Sequence, residues 1–195
     1  MRKKFLLLLC VFVFSRALAQ KENCHAVETF VNLADDRRFI EAHEEPHAIN
    51  PNNPLGKTIT FDTPDGKQAS AYFIEAKKPT KYYLFVIHEW WGLNAYIRQE
   101  SEKLYDQLGN INVVALDLYD GKVAEKREEA AQLMQSVQKE RAEAIIKGAI
   151  EYAGKKAKIF TIGWCFGGSW SLQASLLAGK QAAGCVIYYG MPEKE

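Results

Sequence analysis

The sequence predicts an α/β domain built on a mostly parallel sheet with helices on its faces. Three observations carry that expectation. Short apolar runs recur at residues 82–87, 111–116, 159–162 and 184–189, and runs of this length read as strands buried on both faces, as in a parallel sheet. Segments with helical spacing lie between them, which parallel crossovers require. An alternating pair of segments joined by Thr63-Pro64-Asp65-Gly66 precedes them and reads as an antiparallel hairpin.

Arg2, Lys3 and Lys4 precede ten unbroken apolar residues, 5–14, and Ala17-Leu18-Ala19 supplies a small-residue cleavage site. Residues 1–19 therefore read as a secretory signal peptide. Ten apolar residues are too few to cross a bilayer, so the expectation is an exported chain, periplasmic or secreted, with no membrane span after cleavage. Residues 20–56 read as a polar N-terminal extension with a short helix at 27–33 and a Pro- and Asn-rich loop at 47–56. His43-Glu44-Glu45-Pro46-His47 matches the zinc pattern H-E-x-x-H. That chemistry needs both histidines on one helix face, and Pro46 would break the helix. The segment reads as a loop without metal.

The hairpin strands are expected at 57–62 and 68–75, followed by the strand at 82–87. Ile97, Leu104 and Leu108 give 95–108 a helical stripe that stops at Gly109. After the strand at 111–116, residues 123–152 carry Ala-rich apolar faces and read as two helices. The strand at 159–162 leads into a helix over 166–178, and 184–189 is the last strand. The organisation is thus a leader (1–19), an extension (20–56) and one domain (57–195).

The composition fits that division. Of 195 residues, 48% are hydrophobic and 25% charged, with 25 Lys+Arg against 24 Asp+Glu. These values exclude a disordered, collagen-like or coiled-coil chain. The net charge of +1 lacks the basic excess of a nucleic-acid binder. Beyond the leader stand Cys24, Cys165 and Cys185, an odd number that leaves at least one free thiol. Cys185, flanked by Val186 and Ile187 in a strand, reads as core.

Gly163-Trp164-Cys165-Phe166-Gly167-Gly168 follows an apolar strand and opens a helix. This is the setting of a nucleophile elbow, G-x-S-x-G, with Cys in the Ser position. A sharp strand-to-helix turn strains the nucleophile's backbone, and glycines two residues before and after leave room for it. The helix N-terminus beneath the side chain is expected to lower the thiol pKa and favour thiolate. The Phe166 N–H then points at a developing oxyanion. His88-Glu89-Trp90-Trp91 directly follows the strand at 82–87, at the strand end where open parallel sheets bind ligands. Glu89 is a candidate site carboxylate, the two tryptophans a pocket wall, and His88 a hydrogen-bonded structural imidazole.

IHEWWGLN (87–94), ALDLYDG (115–121) and IGWCFGGSW (162–170), in this order and spacing, resemble the dienelactone hydrolase family of α/β-hydrolases over residues 57–192. The resemblance implies the α/β-hydrolase fold and a carboxylesterase-like hydrolase that opens small-molecule esters or lactones through an acyl thioester. It implies that Cys165 is the nucleophile and that Glu89 contacts the resting thiol. The backbone N–H groups of Trp90 and Phe166 would form the oxyanion hole, and Gly163, Gly167 and Gly168 would be the elbow glycines. No cofactor or metal is implied.

Two departures bear on activity. Dienelactone-type members carry an arginine after the Leu-Tyr pair to hold the substrate carboxylate, whereas here Leu118-Tyr119 is followed by Asp120-Gly121-Lys122. The triad order in this fold also places an acid and then a histidine after the nucleophile. Downstream of Cys165 the sequence has no His or Asp, and its only later acids are Glu193 and Glu195. The expectation is a partial α/β-hydrolase domain lacking its last strands and helices, with poor turnover. The alternative is a non-catalytic truncated remnant, or a subunit completed by a partner chain. The apolar strand at 184–189 would then be an uncovered sheet edge, which favours self-association.

Overall fold

The computed structural model describes residues 33–47, 49 and 53–190. The leader, Cys10, Cys24 and residues 191–195 lie outside these, as does the helix expected at 27–33 apart from Leu33. The hairpin is present as β1 (Lys57–Asp62) and β2 (Gln68–Ile74), in the antiparallel register Lys57↔Phe73 to Asp62↔Gln68. Its turn is closed by the Gly66 N–H on the Thr63 carbonyl at 3.0 Å.

The alternating units follow as β3 (Tyr82–Ile87), α2 (Ala95–Leu108), β4 (Asn112–Leu116), α3 (Arg127–Ser136), α4 (Lys139–Ala153), β5 (Lys158–Trp164), α5 (Phe166–Ala178) and β6 (Ala182–Tyr188). Ahead of the hairpin, Arg37–Ala42 forms α1. The sheet order is β1-β2-β4-β3-β5-β6. The pairs β4–β3, β3–β5 and β5–β6 are parallel, and β2 pairs antiparallel with β4. This mixed sheet flanked by helices is the α/β-hydrolase arrangement expected from the sequence.

β3 shows why a continuous apolar run marks a central strand. Phe85 and Ile87 enter a core with Trp90, Met134, Ile145, Phe166 and Trp170. Leu84 and Val86 enter a second core on the opposite face, with Ile97, Tyr105, Val113 and Ile162. Successive strand side chains alternate faces, so a strand covered on both sides must be apolar throughout.

The structure adds one element and corrects two expectations. Residues 37–42, for which the sequence predicts no element, are helical, because the Asp36 carboxylate caps the Arg38 and Phe39 amides while Phe39 and Ile40 pack on the main core. On α2 the buried stripe is Ile97, Ser101 and Tyr105, and Leu108 is 55% exposed. Cys185 is exposed, not core. Among the described residues β6 pairs only with β5, so Cys185, Val186 (45% exposed) and Ile187 (39%) keep contact with solvent. Cys185 lines an apolar groove with Leu104, Leu108, Phe160 and Val186.

Candidate active site

Cys165 sits at the junction of β5 and α5 with φ 55° and ψ −125°, a left-handed conformation that L-residues rarely hold. Neighbouring backbone enforces it: the Cys165 N–H donates to the Tyr188 carbonyl at 3.0 Å, and the Gly168 N–H donates to the Cys165 carbonyl at 2.9 Å. The glycines are required by close approach. A Cβ on Gly163 would stand 2.0 Å from the Gly167 carbonyl oxygen, and one on Gly167 would stand 2.4 Å from the Ile87 and His88 carbonyl oxygens. A Cβ on Gly168 would meet Gly190 at 2.9 Å. The turn is therefore pressed against the end of β3, which brings Cys165 beside the segment that carries Glu89.

The side chain of Cys165 differs electrostatically from the expected thiolate. Cys165 is only 2% exposed, and burial pushes its thiol up to about 12, with the charge of Glu89 adding to the rise. The Phe166 amide opposes this by hydrogen bonding to the sulfur. Desolvation outweighs that amide at the head of α5, so the resting group at neutral pH is a thiol.

Glu89 follows β3 and accepts a hydrogen bond from the Tyr189 hydroxyl at 2.7 Å. His88, adjacent in sequence, is fully buried. Its Nδ1 lies 2.6 Å from the Glu89 carbonyl oxygen, and its Nε2 accepts the Leu118 N–H at 3.2 Å. A carbonyl oxygen only accepts, so Nδ1 carries the proton and the ring is neutral. Burial lowers its pKa in the same direction. His88 is thus the structural imidazole expected, tying the end of β3 to the end of β4. Trp90 is buried beside it, against Trp91 at 5.0 Å between ring centroids.

A histidine that sequence reasoning passed over reaches the sulfur. His43 caps the C-terminus of α1, and its Nε2 lies 4.0 Å from Cys165 Sγ. Its Nδ1 is 2.6 Å from the Phe39 carbonyl oxygen. Its ring packs against Phe39 and Trp90, at centroid distances of 4.3 and 5.0 Å. The His43 carbonyl accepts a hydrogen bond from Arg127 Nε. Residues 43–47 are non-helical, as Pro46 requires, and no group of three or more candidate metal ligands occurs among the described residues. The pattern that drew attention to His43 was a zinc pattern. Nothing in the spacing links it to a cysteine 122 positions later.

Two surface features frame the site. An open cleft of about 270 Å³ is lined by Glu44, Pro46, His47, Glu89, Trp91 and Tyr96. Beyond the Leu118-Tyr119 pair, Asp120 takes φ 50° and binds Arg141 of α4 through Nε at 3.0 Å and Nη2 at 2.6 Å. Arg141 Nη1 also reaches Asp65 at 3.1 Å. A guanidinium does occupy this corner, committed to two protein carboxylates.

A model of the dienelactone hydrolase family matches residues 69–195. The chain is 28% identical over 149 residues to protein usf of Aquifex pyrophilus, covering 71% of this chain and 63% of that protein. It is 24% identical, with the same coverage, to an Aquifex aeolicus protein provisionally named carboxymethylenebutenolidase. It thus spans less than two thirds of the length of these curated relatives. A Klebsiella pneumoniae structure solved under the provisional name dienelactone hydrolase aligns with TM-score 0.56 and 19% identity, over 71% of this chain and 62% of that one. At that identity the likeness concerns the fold.

Proposed function

The chain belongs to the dienelactone hydrolase family, and from that premise we propose that it is a carboxylic-ester or lactone hydrolase with Cys165 as nucleophile. The observation that carries this reading is the elbow itself. Cys165 holds a left-handed backbone at the β5–α5 turn, with the Phe166 amide on its sulfur and the Glu89 charge close enough to raise its pKa. In the proposed reaction Sγ attacks the carbonyl carbon of a small ester entering by the Glu89 cleft. The Phe166 and Trp90 amides receive the developing oxyanion, and collapse leaves an acyl thioester that water opens. Glu89 sets the resting state of the thiol by disfavouring premature ionisation.

The proposal extends to two further properties. The basic, apolar and small-residue pattern of residues 1–19 supports export. The exposed apolar edge of β6 supports pairing between copies, which size-exclusion chromatography over a concentration series would read as a rising apparent mass.

The test is rapid mixing of the chain with a p-nitrophenyl ester, followed by mass analysis of the peptide that carries Cys165. An acyl group on that peptide, absent in Cys165→Ala, is the expected result. Release of p-nitrophenol at an equal rate from Cys165→Ala overturns the assignment of the nucleophile. A chain that leaves the ester intact is the non-catalytic alternative.

A further inference from the structure

We infer that His43 is the proton acceptor and donor for Cys165, so that α1 and the residue capping it complete a cysteine–histidine pair. The inference deepens the proposed function and rests on Cys165 being the nucleophile. Its first support is geometric: Nε2 lies 4.0 Å from the sulfur. This is the outer limit for a hydrogen bond to sulfur, and such contacts are often long in resting enzymes and tighten when substrate binds.

The tautomer is the second support. Nδ1 lies 2.6 Å from the Phe39 carbonyl oxygen, which can only accept, so Nδ1 bears a proton, and in the neutral ring Nε2 presents its lone pair to the thiol. The Phe39 carbonyl thus acts as the group that orients the base. Third, the ring is held. It is packed between Phe39 and Trp90, its carbonyl accepts from Arg127, and Phe39 itself is seated on the main core. A base fixed this way does not have to be ordered at the moment of reaction.

Among the described residues, the other groups facing the pair do not serve as that base. His88 has both ring nitrogens engaged in backbone hydrogen bonds. Glu89 accepts from Tyr189. Tyr119 and Tyr189 have their hydroxyl pKa values raised, chiefly by burial, so they remain neutral. Arg127 contributes a positive charge on the carbonyl side of His43. A thiol held at about 12 needs a base in contact with it to react at neutral pH.

Sγ–H gives its proton to His43 Nε2 as the sulfur lone pair bonds to the ester carbonyl carbon, and the C=O π pair moves onto oxygen. Collapse re-forms C=O and breaks the C–O bond to the leaving alkoxide, which takes the proton from Nε2. Water then attacks the thioester, delivering a proton to Nε2. Collapse breaks the C–S bond, and the departing sulfur recovers that proton. Ester and water yield carboxylic acid and alcohol, with Cys165 and His43 returned to their starting forms.

The test measures acylation of Cys165 by p-nitrophenyl acetate at pH 7.5 in the full chain, His43→Gln and His43→Ala, with added imidazole and with Cys165→Ala as the background. Thermal unfolding of each variant confirms that it folds. The expected result is acylation slowed about 100-fold or more in both His43 variants, with imidazole restoring the rate in His43→Ala and not in Cys165→Ala. Rates within twofold of the unsubstituted chain overturn the inference while leaving Cys165 as nucleophile. A slowed rate that imidazole does not restore also overturns it, since His43 would then act only structurally. If the unsubstituted chain takes no acyl group, the proposed function falls, and alkylation of Cys165 by iodoacetamide tests the pair independently. Slower alkylation in His43→Ala, restored by imidazole, upholds it. Equal or faster alkylation makes α1 a cover over the thiol and overturns it.

Discussion

Tyr189 donates a hydrogen bond to the carboxylate of Glu89 at 2.7 Å, from a backbone held at φ 38°, just after the last strand of the sheet. The contact pins a negative charge close to Cys165, where it disfavours a second one. Burial and the Glu89 charge act in the same direction on the thiol, and only the Phe166 amide opposes them. The surroundings of Cys165 therefore favour the protonated sulfur.

The first prediction concerns that charge. Glu89→Gln removes the Coulombic part of the rise, so the thiol pKa falls. At a fixed pH below it, the thiolate fraction increases about tenfold for each unit of fall. Iodoacetamide labelling of the Cys165 peptide at pH 8.5 should be several-fold faster in Glu89→Gln. An unchanged rate would mean that Glu89 does not sense the sulfur.

A second prediction follows from linkage. The folded-state pKa of Cys165 is raised from 9.0 to about 12, so between those values the native state binds a proton that the unfolded chain has lost. The stabilisation is fully present below pH 9 and is lost as pH rises toward 12. The melting temperature of the unsubstituted chain should therefore fall more steeply across that window than that of Cys165→Ala. Comparing the two chains isolates the thiol from Tyr72, whose pKa is also raised to about 12. Parallel pH profiles would contradict the buried-thiol account.

Much of the fold was legible because its signals are local. The hairpin turn, the apolar runs and the elbow between β5 and α5 each follow from a few adjacent residues, and the structure shows these elements at or near the expected positions. The misses come from contacts between distant segments. Desolvation of Cys165 depends on everything packed over it, which no local rule about helix N-termini contains. Cys185 reads as core only if another element covers β6. The position of His43 depends on where Phe39 and Ile40 dock, and the sequence around it shows neither a strong periodicity nor a motif tied to the elbow.

The glycines of the elbow give a third prediction. Gly163→Ala would place a Cβ 2.0 Å from a backbone oxygen, and Gly167→Ala one 2.4 Å from two others. Backbone on both sides leaves no side chain to rotate away, so each substitution should cost roughly 3 kcal/mol or more and yield little folded protein. Gly66 at the hairpin turn is the comparison: its φ is +77° but the space around it is open. Gly66→Ala should cost only about 1 kcal/mol, and urea titrations of the two classes would measure the difference. Equal costs would mean that the elbow backbone shifts to admit a Cβ, because neither Gly163 nor Gly167 has a positive φ to strain.

The fourth prediction separates the two described thiols by accessibility. Cys185 is exposed on β6, and its sulfur lies 3.5 Å from the Ser171 hydroxyl. Cys165 is 2% exposed and protonated. Thiolate is the reactive species and access limits the reagent, so burial and protonation both slow Cys165. With an excess of a disulfide reagent at pH 8, the Cys185 peptide should be labelled in a fast phase that Cys185→Ser abolishes. The Cys165 peptide should follow more slowly in the native chain and react without delay in denaturant. If a second copy covers β6, the Cys185 phase slows as protein concentration rises while the Cys165 phase does not. Fast labelling of Cys165 at all concentrations would contradict both its burial and its protonation.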